Sequence, residues 1–261
     1  MADDNLYRLF ERRFAGQGKL TAFEDAAGSI LMAYDELRSS VARFANALET
    51  LGVKPGDRVA AQLEKTLATV LLYLAVLKTG AVFQPLNSAY TAPEMDYFIA
   101  DAAPSLVVTS STKTADIAPI AQRYGAFHLS LDGTASGSLA PLAAKASDRH
   151  STCSRASGDL AGLLYTSGTT GRAKGAMLTH GNLISNAKTL HRLWGFVPGD
   201  VLLHALPVFH VHGLYVALNT AFLNASRIIW LERFDVAGVL RLLPRATVFM
   251  GVPTFYTRLL A

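Results

Sequence analysis

The sequence predicts an α/β fold in which parallel sheets are flanked by helices, and three observations support this. Short apolar, β-prone runs alternate with segments of helical periodicity along most of the 261 residues. Glycine and proline mark many of the turns between these segments. Hydrophobic residues make up 51% of the chain, which is enough for one large core or two smaller ones. Strands and helices that alternate in this way are typical of parallel sheets covered by helices.

The alternation begins after residue 36. Gly52 ends a first helix, and Thr91 with Glu94 forms a capping box that opens another helix, which ends before Pro104. The predicted helices are residues 37–51, 67–77, 91–103 and a segment through 117–120, and the predicted strands are residues 58–63, 82–86, 106–109 and 126–130.

Residues 132–158 are rich in small residues and interrupt this alternation. We expect them to form a linker that ends a first subdomain, residues 1–158, before a second one, residues 159–261. The second subdomain is predicted to contain helices at 182–194, after 213, at 236–243 and from 253 onward, and strands at 201–205, 227–231 and 246–250. Because the chain stops at Ala261 within this last helix, we expect an incomplete domain.

Composition excludes several classes of function. The longest apolar run, residues 67–77, is far shorter than the roughly 20 residues of a membrane span, so no membrane span is expected. The acidic N-terminus is unlike a signal or transit peptide and indicates a cytoplasmic location. A net charge of +4 without a basic cluster argues against nucleic acid as a partner. The single cysteine, Cys153, excludes an intramolecular disulfide and is expected to be a solvent-exposed spectator.

Residues 165–175 form the segment of this chain that is densest in phosphate-binding groups. They read Tyr-Thr-Ser-Gly-Thr-Thr-Gly-Arg-Ala-Lys-Gly and lie between apolar flanks. Glycines allow successive backbone N–H groups to converge on one anion, hydroxyls add donors, and lysine adds a mobile positive charge. The flanks predict a strand, a loop and a strand, and the loop is predicted to bind a polyphosphate.

The spacing does not fit two familiar phosphate-binding motifs. Counting from Gly168, a Walker loop would need glycine where Ala173 stands and a hydroxyl where Gly175 stands. The only close Gly-x-Gly pair, Gly16 and Gly18, has no third glycine at the dinucleotide-binding spacing. A Walker-type phosphotransferase, which would produce ADP, is therefore disfavoured.

Residues 165–175 resemble the phosphate-binding signature of the adenylate-forming enzymes, which include acyl-CoA synthetases, luciferases and the adenylation domains of peptide synthetases. Further matches to this family follow in order along the chain. They are Tyr34–Leu37 (Tyr-x-Glu-Leu), Leu77–Leu86 (Leu-Lys-x-Gly-x-x-x-x-Pro-Leu), Leu206–Gly213 (containing Pro-x-x-His-x-x-Gly) and Gly251–Thr254 (containing Val-Pro-Thr). The first two are structural in the family, and the last two line its acyl pocket.

The resemblance implies that a carboxylate reacts with ATP to give acyl-AMP and pyrophosphate, and that CoA then takes the acyl group. It implies Mg²⁺ as well, with Thr170 as its contact, and Thr166, Lys174 and His210 as the catalytic residues. Arg172 is expected to face solvent. The residues implied to bind the β- and γ-phosphates are Thr166, Ser167, Gly168, Thr169, Thr170, Gly171 and Lys174.

Residues 204–214 and 250–260 resemble malonyl-CoA synthetases in particular. A dicarboxylate keeps one carboxylate unreacted, and burying that charge requires a cationic partner. Arg258 is the candidate cation, His210 its candidate polar neighbour, and Val252 and Thr254 are candidate pocket residues. An exposed helix arginine and a satisfied core histidine are the alternatives for the first two. His212 is expected to be structural.

Three interpretations remain open at this stage. The chain is the N-terminal portion of a malonyl-CoA synthetase, the corresponding portion of a fatty- or aryl-acid CoA ligase, or a nucleotide-binding fragment without catalysis. The family's Tyr-Gly-x-Thr-Glu motif, its ribose-binding aspartate and its C-terminal lysine have no counterpart in the sequence. We therefore expect this chain to be inactive alone.

Overall fold

The computed structural model describes residues 4–134, 136–166 and 173–261. The chain divides into two compact units, each made of two segments. Unit 1 comprises residues 1–8 and 39–183, and unit 2 comprises residues 9–38 and 184–261.

The helices and strands are numbered in chain order. The helices are α1 (Leu6–Phe14), α2 (Tyr34–Thr50), α3 (Leu67–Lys78), α4 (Ala92–Ala102), α5 (Thr114–Arg123), α6 (Leu139–Lys145), α7 (His180–Leu193), α8 (Asn219–Asn224), α9 (Val236–Leu242) and α10 (Pro253–Leu260). The strands are β1 (Thr21–Glu24), β2 (Ile30–Ala33), β3 (Arg58–Gln62), β4 (Val82–Leu86), β5 (Leu106–Thr109), β6 (Phe127–Ser130), β7 (Leu160–Thr166), β8 (Lys174–Thr179), β9 (Val201–His204), β10 (Arg227–Trp230) and β11 (Val248–Phe249).

The described residues of unit 1 form a six-stranded sheet in the order β6-β5-β3-β4-β7-β8. The pairs from β6 to β7 are parallel, and β8 is antiparallel to β7. The two strands predicted on either side of the phosphate-binding segment are therefore confirmed, and the residues between them, 167–172, lie outside the described residues. This sheet continues to residue 179, beyond the subdomain boundary predicted at residue 158, because β7 pairs with β4 through Phe83 and Gly162.

Helix α3 is buried on nearly every side, which explains why its sequence is apolar all round. Its last residue, Lys78, is only 2% exposed. The Lys78 ammonium donates to Thr152 Oγ1 over 2.9 Å and lies 4.7 Å above the ring of Tyr7. The Leu-Lys-x-Gly match thus has a packing role. Cys153, expected to be solvent-exposed, is only partly exposed, and its N–H donates to the carbonyl of Lys78.

Helix α4 packs on the unit 1 sheet through residues spaced three or four apart. Met95, Phe98, Ile99 and Ala102 are buried at this spacing. The N-terminus of the helix has the predicted capping box, in which the Thr91 N–H donates to Glu94 Oε2 over 2.8 Å. These buried residues fix the side of α4 that faces the sheet. The other side chains of the helix remain available for further contacts.

The described residues of unit 2 form a five-stranded sheet in the order β11-β9-β10-β1-β2. All of its pairs are parallel except β1 with β2. Phe222 lies at the centre of an aromatic core, with ring centroids 5.6 Å from Phe10, 5.9 Å from Phe14 and 6.2 Å from Phe23. Tyr34, which opens the Tyr-x-Glu-Leu match, is buried, and its hydroxyl donates to the Ser226 carbonyl over 2.7 Å. That match is structural, as expected.

The sequence predicted most of these elements and missed four of them. The short elements β1 and β2, together with α1, were not predicted. The segment predicted as a linker, residues 132–158, contains α6, whose residues Leu139, Ala140 and Ala143 are buried. Small residues there serve close packing as well as chain connection. Among the described residues, no helix has the length and apolar character needed to cross a bilayer.

Candidate functional site

Strands β7 and β8 place two predicted phosphate-binding residues directly opposite each other. Thr166, the last residue of β7, is the cross-strand partner of Lys174, the first residue of β8. Both side chains are exposed. The other predicted members of this site, which are Ser167, Gly168, Thr169, Thr170 and Gly171, lie outside the described residues, as does Arg172, which was expected to face solvent.

The Thr166 and Lys174 pair lies where ligands bind in many α/β proteins. Because β7 runs parallel to β4, its last residue is at the carboxyl edge of the parallel strands, where open α/β sheets usually hold their ligands. A hydroxyl donor and an ammonium on neighbouring strands suit an oxyanion ligand. The described parts of the chain contain no group of three or more His, Cys, Asp or Glu residues placed to hold a metal ion.

The last glycine of the segment, Gly175, has a steric role that the sequence did not reveal. Gly175 is the cross-strand partner of Tyr165. A Cβ atom at Gly175 would lie 3.0 Å from Leu163 Cδ1 and 3.5 Å from Tyr165 Cζ. The Leu163 side chain would therefore have to shift to admit a larger residue at position 175, whereas the Tyr165 ring would be at ordinary contact distance.

Unit 2 contains an open cavity of about 470 Å³. Its walls come from the end of α7, from strand β11 with its flanking residues, and from α10. The lining residues are Trp194, Phe196, His212, Thr247, Val248, Phe249, Met250, Gly251 and Tyr256. This size and the mixture of aromatic and polar groups are typical of a small-molecule site.

The two histidines of the Pro-x-x-His-x-x-Gly segment have different positions. His212, expected to be structural, lines the cavity. His210 is exposed, and its ring centroid is 4.5 Å from that of Phe209. Partial desolvation by neighbouring residues lowers the pKa of both imidazoles, so the neutral form of each is favoured. His212 is thus the histidine that the structure places at the cavity wall.

The Gly-Val-Pro-Thr segment connects β11 to α10 beside the cavity. Val252 caps α10, and Thr254 is exposed in its first turn. Arg258 is exposed further along this helix, and its guanidinium lies 4.9 Å from the centre of the Phe234 ring. The aromatic residue that α10 contributes to the cavity wall is Tyr256.

Four aromatic residues that line the cavity were missed from the sequence, and one of them is Phe249 in β11. Trp194 and Phe196 flank Gly195 at the end of α7, and Tyr256 lies in α10. The two segments are about 60 residues apart in the sequence, so only the fold brings them together. One local signal was present in the sequence, a tryptophan, Trp194, at a predicted helix end. In the structure this side chain is 51% exposed.

A model of the AMP-binding enzyme family matches residues 10–261. The chain belongs to this family. The resemblance to adenylate-forming enzymes is therefore confirmed, and so is the α/β fold class. The family assignment rests on nearly the whole chain.

Curated relatives of this AMP-binding family member include CoA ligases and CoA synthases. It is 33% identical over 240 residues to a feruloyl-CoA synthase of Amycolatopsis, covering 90% of this chain and 46% of that protein. It is 31% identical over 271 residues to an oxalate–CoA ligase of Arabidopsis thaliana, covering 98% and 51%. It is 33% identical over 219 residues to a mitochondrial malonate–CoA ligase of Mus musculus, covering 80% and 37%. The chain thus spans about half the length of these relatives or less.

The fold is also similar to that of MatB from Rhodopseudomonas palustris. The apo and ATP-bound structures of MatB each match with a TM-score of 0.94 and 49% identity, covering 99% of this chain and 51% of MatB. The similarity covers both units, each of which carries one of the two sites described above.

Proposed function

We propose that this chain is the N-terminal portion of an enzyme that activates a short carboxylate, malonate in the first instance, with ATP and transfers the acyl group to CoA. The observation that carries the proposal is the pairing of Thr166 with Lys174 at the end of β7 and β8. Its support is the 49% identity to a protein that has been crystallised with bound ATP.

The reaction needs stabilisation of negative charge more than covalent chemistry from the protein. A carboxylate oxygen forms a bond to the α-phosphorus of ATP, and the bond from that phosphorus to the oxygen bridging to the β-phosphate breaks, releasing pyrophosphate. The CoA thiolate then forms a bond to the acyl carbon as the bond from that carbon to the AMP oxygen breaks. Charge passes to the leaving pyrophosphate in the first step.

Lys174 and Thr166 are proposed to bind the phosphates that leave. The Lys174 ammonium neutralises charge on the β- and γ-phosphates, and the Thr166 hydroxyl donates a hydrogen bond to a phosphate oxygen. The assignment of Mg²⁺ to Thr170 stays a prediction from the resemblance, because Thr170 lies outside the described residues. The roles proposed for Lys174 and Thr166 do not depend on the assignment of Mg²⁺ to Thr170.

The acyl group is proposed to bind in the unit 2 cavity. His212 is a polar residue of its lining that can orient a carboxylic acid. Malonate as the substrate is supported by the resemblance to malonyl-CoA synthetases around His210 and by the relation to a malonate–CoA ligase. In this proposal Arg258 would leave Phe234 and bind the unreacted carboxylate, with His210, Val252 and Thr254 beside it.

A second candidate substrate is an aryl acid, and one observation favours it. The cavity wall contains four aromatic side chains, Trp194, Phe196, Phe249 and Tyr256, against which an aromatic ring packs well. The relation to a feruloyl-CoA synthase is consistent with this alternative.

Product analysis tests the proposed reaction. This chain and the longest reading frame that contains it would each be incubated with ATP, Mg²⁺, CoA and one acid from a panel of malonate, oxalate, benzoate and ferulate. AMP, pyrophosphate and malonyl-CoA are expected from the longer protein. A benzoyl or feruloyl thioester would favour the aryl-acid alternative, and ADP as the nucleotide product would contradict adenylation altogether.

Two variants test the residue assignments in the longer protein. Lys174→Ala should lower kcat/KM for ATP by about 10- to 100-fold, because a charge-assisted contact is lost. Lys188→Ala, which removes another exposed lysine, is the matched control and should have no effect. Arg258→Ala should abolish malonate use and spare a monocarboxylate, whereas Arg241→Ala, an exposed control, should change neither. Unchanged malonate kinetics in Arg258→Ala would show that Arg258 does not bind the substrate.

A further inference from the structure

Helix α4 contacts β7 and the residue that directly precedes β8, on both sides of the Thr166 and Lys174 pair. The Tyr97 hydroxyl donates to the backbone carbonyl of Ala173 over 2.7 Å. The Tyr165 hydroxyl donates to Asp101 Oδ2 over 2.5 Å. All of these residues belong to unit 1.

The two contacts reach the strands immediately beside the candidate phosphate-binding residues. Ala173 directly precedes Lys174, and Tyr165 directly precedes Thr166. Tyr97 and Asp101 are four residues apart on α4 and so lie on one face of the helix. The helix therefore holds the backbone next to each member of the pair, at the same end of β7 and β8.

Aromatic packing reinforces these hydrogen bonds. The ring centroid of Tyr165 lies 4.6 Å from that of Phe98 and 6.3 Å from that of Tyr97, with the second pair arranged edge to face. Phe98 is 4% exposed and belongs to the core between α4 and the sheet. Burial, and then the contact with Asp101, raise the pKa of Tyr165, so its hydroxyl stays protonated and able to donate.

We infer that Tyr97 and Asp101 are positioning residues for the phosphate-binding strands β7 and β8. Tyr97 holds the backbone from which the Lys174 ammonium extends, and Asp101 holds Tyr165 and with it the backbone at Thr166. Neither residue needs to touch the ligand for this role. The inference rests on the proposed function, since it assigns a role within that nucleotide site.

Pre-organised donors bind an anion without the cost of ordering them first. Loss of either hydrogen bond should therefore weaken binding of polyphosphate while the fold is kept. For Tyr97→Phe, which removes only the hydroxyl, the dissociation constant of ATP and of pyrophosphate should rise about three- to tenfold. Asp101→Ala should have a similar effect, and Asp101→Asn, which keeps an acceptor for Tyr165, should restore much of the affinity.

The experiment is calorimetric titration of this chain with ATP and with pyrophosphate, with the thermal midpoint measured in parallel. Asp96→Asn is the matched control, because Asp96 lies on the same helix in an exposed ion pair with Arg123. In the longest reading frame, Tyr97→Phe should raise KM for ATP and leave KM for the carboxylate unchanged. A residue that only stabilises the fold would lower the thermal midpoint without separating these two constants.

The possible outcomes separate the two proposals. If the wild-type chain and the longer protein bind neither ATP nor pyrophosphate, the proposed function is wrong and the positioning role falls with it. If the wild-type protein binds both and Tyr97→Phe and Asp101→Ala bind equally well, the proposed function stands and the positioning role is overturned. Weaker binding in these two variants, with Asp96→Asn unchanged, supports the positioning role.

Discussion

His204 Nε2 lies 3.0 Å from the carbonyl oxygen of Gly213, and this hydrogen bond joins the end of β9 to the segment that carries His210 and His212. The His204 ring is 1% exposed and stacks on Trp230, with centroids 5.1 Å apart and planes 11° apart. The buried histidine of this region thus orders the segment that follows it. It also fixes the glycine from which the π-helical turns at His212–Leu218 continue.

Gly213 should tolerate no side chain. A Cβ atom there would lie 2.0 Å from the carbonyl oxygen of Pro207, which is backbone and cannot move aside cheaply. We expect Gly213→Ala to lower the free energy of unfolding by about 3 kcal/mol, as overpacking of a buried turn does. Urea titration measures this value. Gly158→Ala is the control, since no atom lies within 4 Å of a Cβ at that position, and an equal loss in both variants would contradict the steric explanation.

Glu24 should be important for the stability of unit 2. Its side chain is 5% exposed and lies 2.7 Å from Arg245 Nη2 and 3.4 Å from Arg227 Nη1. Glu24→Gln should cost roughly 1–3 kcal/mol, because two charge-assisted contacts are weakened while both arginines keep access to water. A double-mutant cycle with Arg245→Met isolates the pairwise energy. A coupling energy near zero would show that the pair contributes nothing.

Replacement of Gln84 should stabilise the protein. Gln84 is fully buried in β4, and in the described structure neither amide atom has a hydrogen-bond partner. Gln84→Met keeps the length of the side chain and removes the unsatisfied groups, so the free energy of unfolding should rise by about 1–2 kcal/mol.

Gln62→Met is the matched comparison for Gln84→Met. Gln62 is also buried, on the neighbouring strand β3, and its Oε1 has no partner among the described residues, but its Nε2 donates to the Tyr90 carbonyl over 2.7 Å. This replacement should destabilise the protein by about 1 kcal/mol, because a hydrogen bond that is made would be lost. Chemical denaturation of both variants should give changes of opposite sign, and a loss in both would argue that the Gln84 amide is satisfied in solution.

Stability should fall between pH 7.5 and pH 5.5. Desolvation by the folded chain lowers the pKa of His128, His210 and His212 below the value of about 6.5 expected in the unfolded chain. The unfolded state therefore binds more protons in this window, and the stabilisation present above about pH 6.5 is lost as the pH falls through the folded values. Unfolding should take up a fraction of a proton at each of these histidines.

The pH dependence is measured by urea titration at half-unit intervals. The triple variant with glutamine at these three positions should show a flatter profile over the same window. A wild-type profile with no slope between pH 7.5 and pH 5.5 would contradict the lowered pKa values.

Prediction from sequence succeeded where the signal was local. Thr91 and Glu94 predicted the start of α4, and the apolar flanks of residues 165–175 predicted the strands that bring Thr166 opposite Lys174. Each depends on residues close together in the chain. Strands β1 and β2 have four residues each, too few for a clear period, and β1 takes its place in the sheet by pairing with β10 about 200 residues later.

Prediction of the candidate sites was likewise limited to residues that are close together in the chain. His210 stood out because it matches a family pattern, but the cavity wall contains His212 and two segments that meet only in the fold. Contacts between α4 and the β7–β8 strands likewise join residues more than 60 positions apart, as with Tyr165 and Asp101. No periodicity or spacing rule connects such residues, because the sheet order decides which of them become neighbours.

Gly175 is the last glycine of residues 165–175, a segment whose sequence suggests ligand binding throughout. In the structure its hydrogen atom leaves room for Leu163, and its cross-strand partner Tyr165 donates through its hydroxyl to Asp101 on α4. Part of the signature therefore serves contacts with α4, a helix that lies outside the signature. A chain that contained these eleven residues without a counterpart of α4 would lack the hydrogen bonds that hold Tyr165 and the backbone at Ala173.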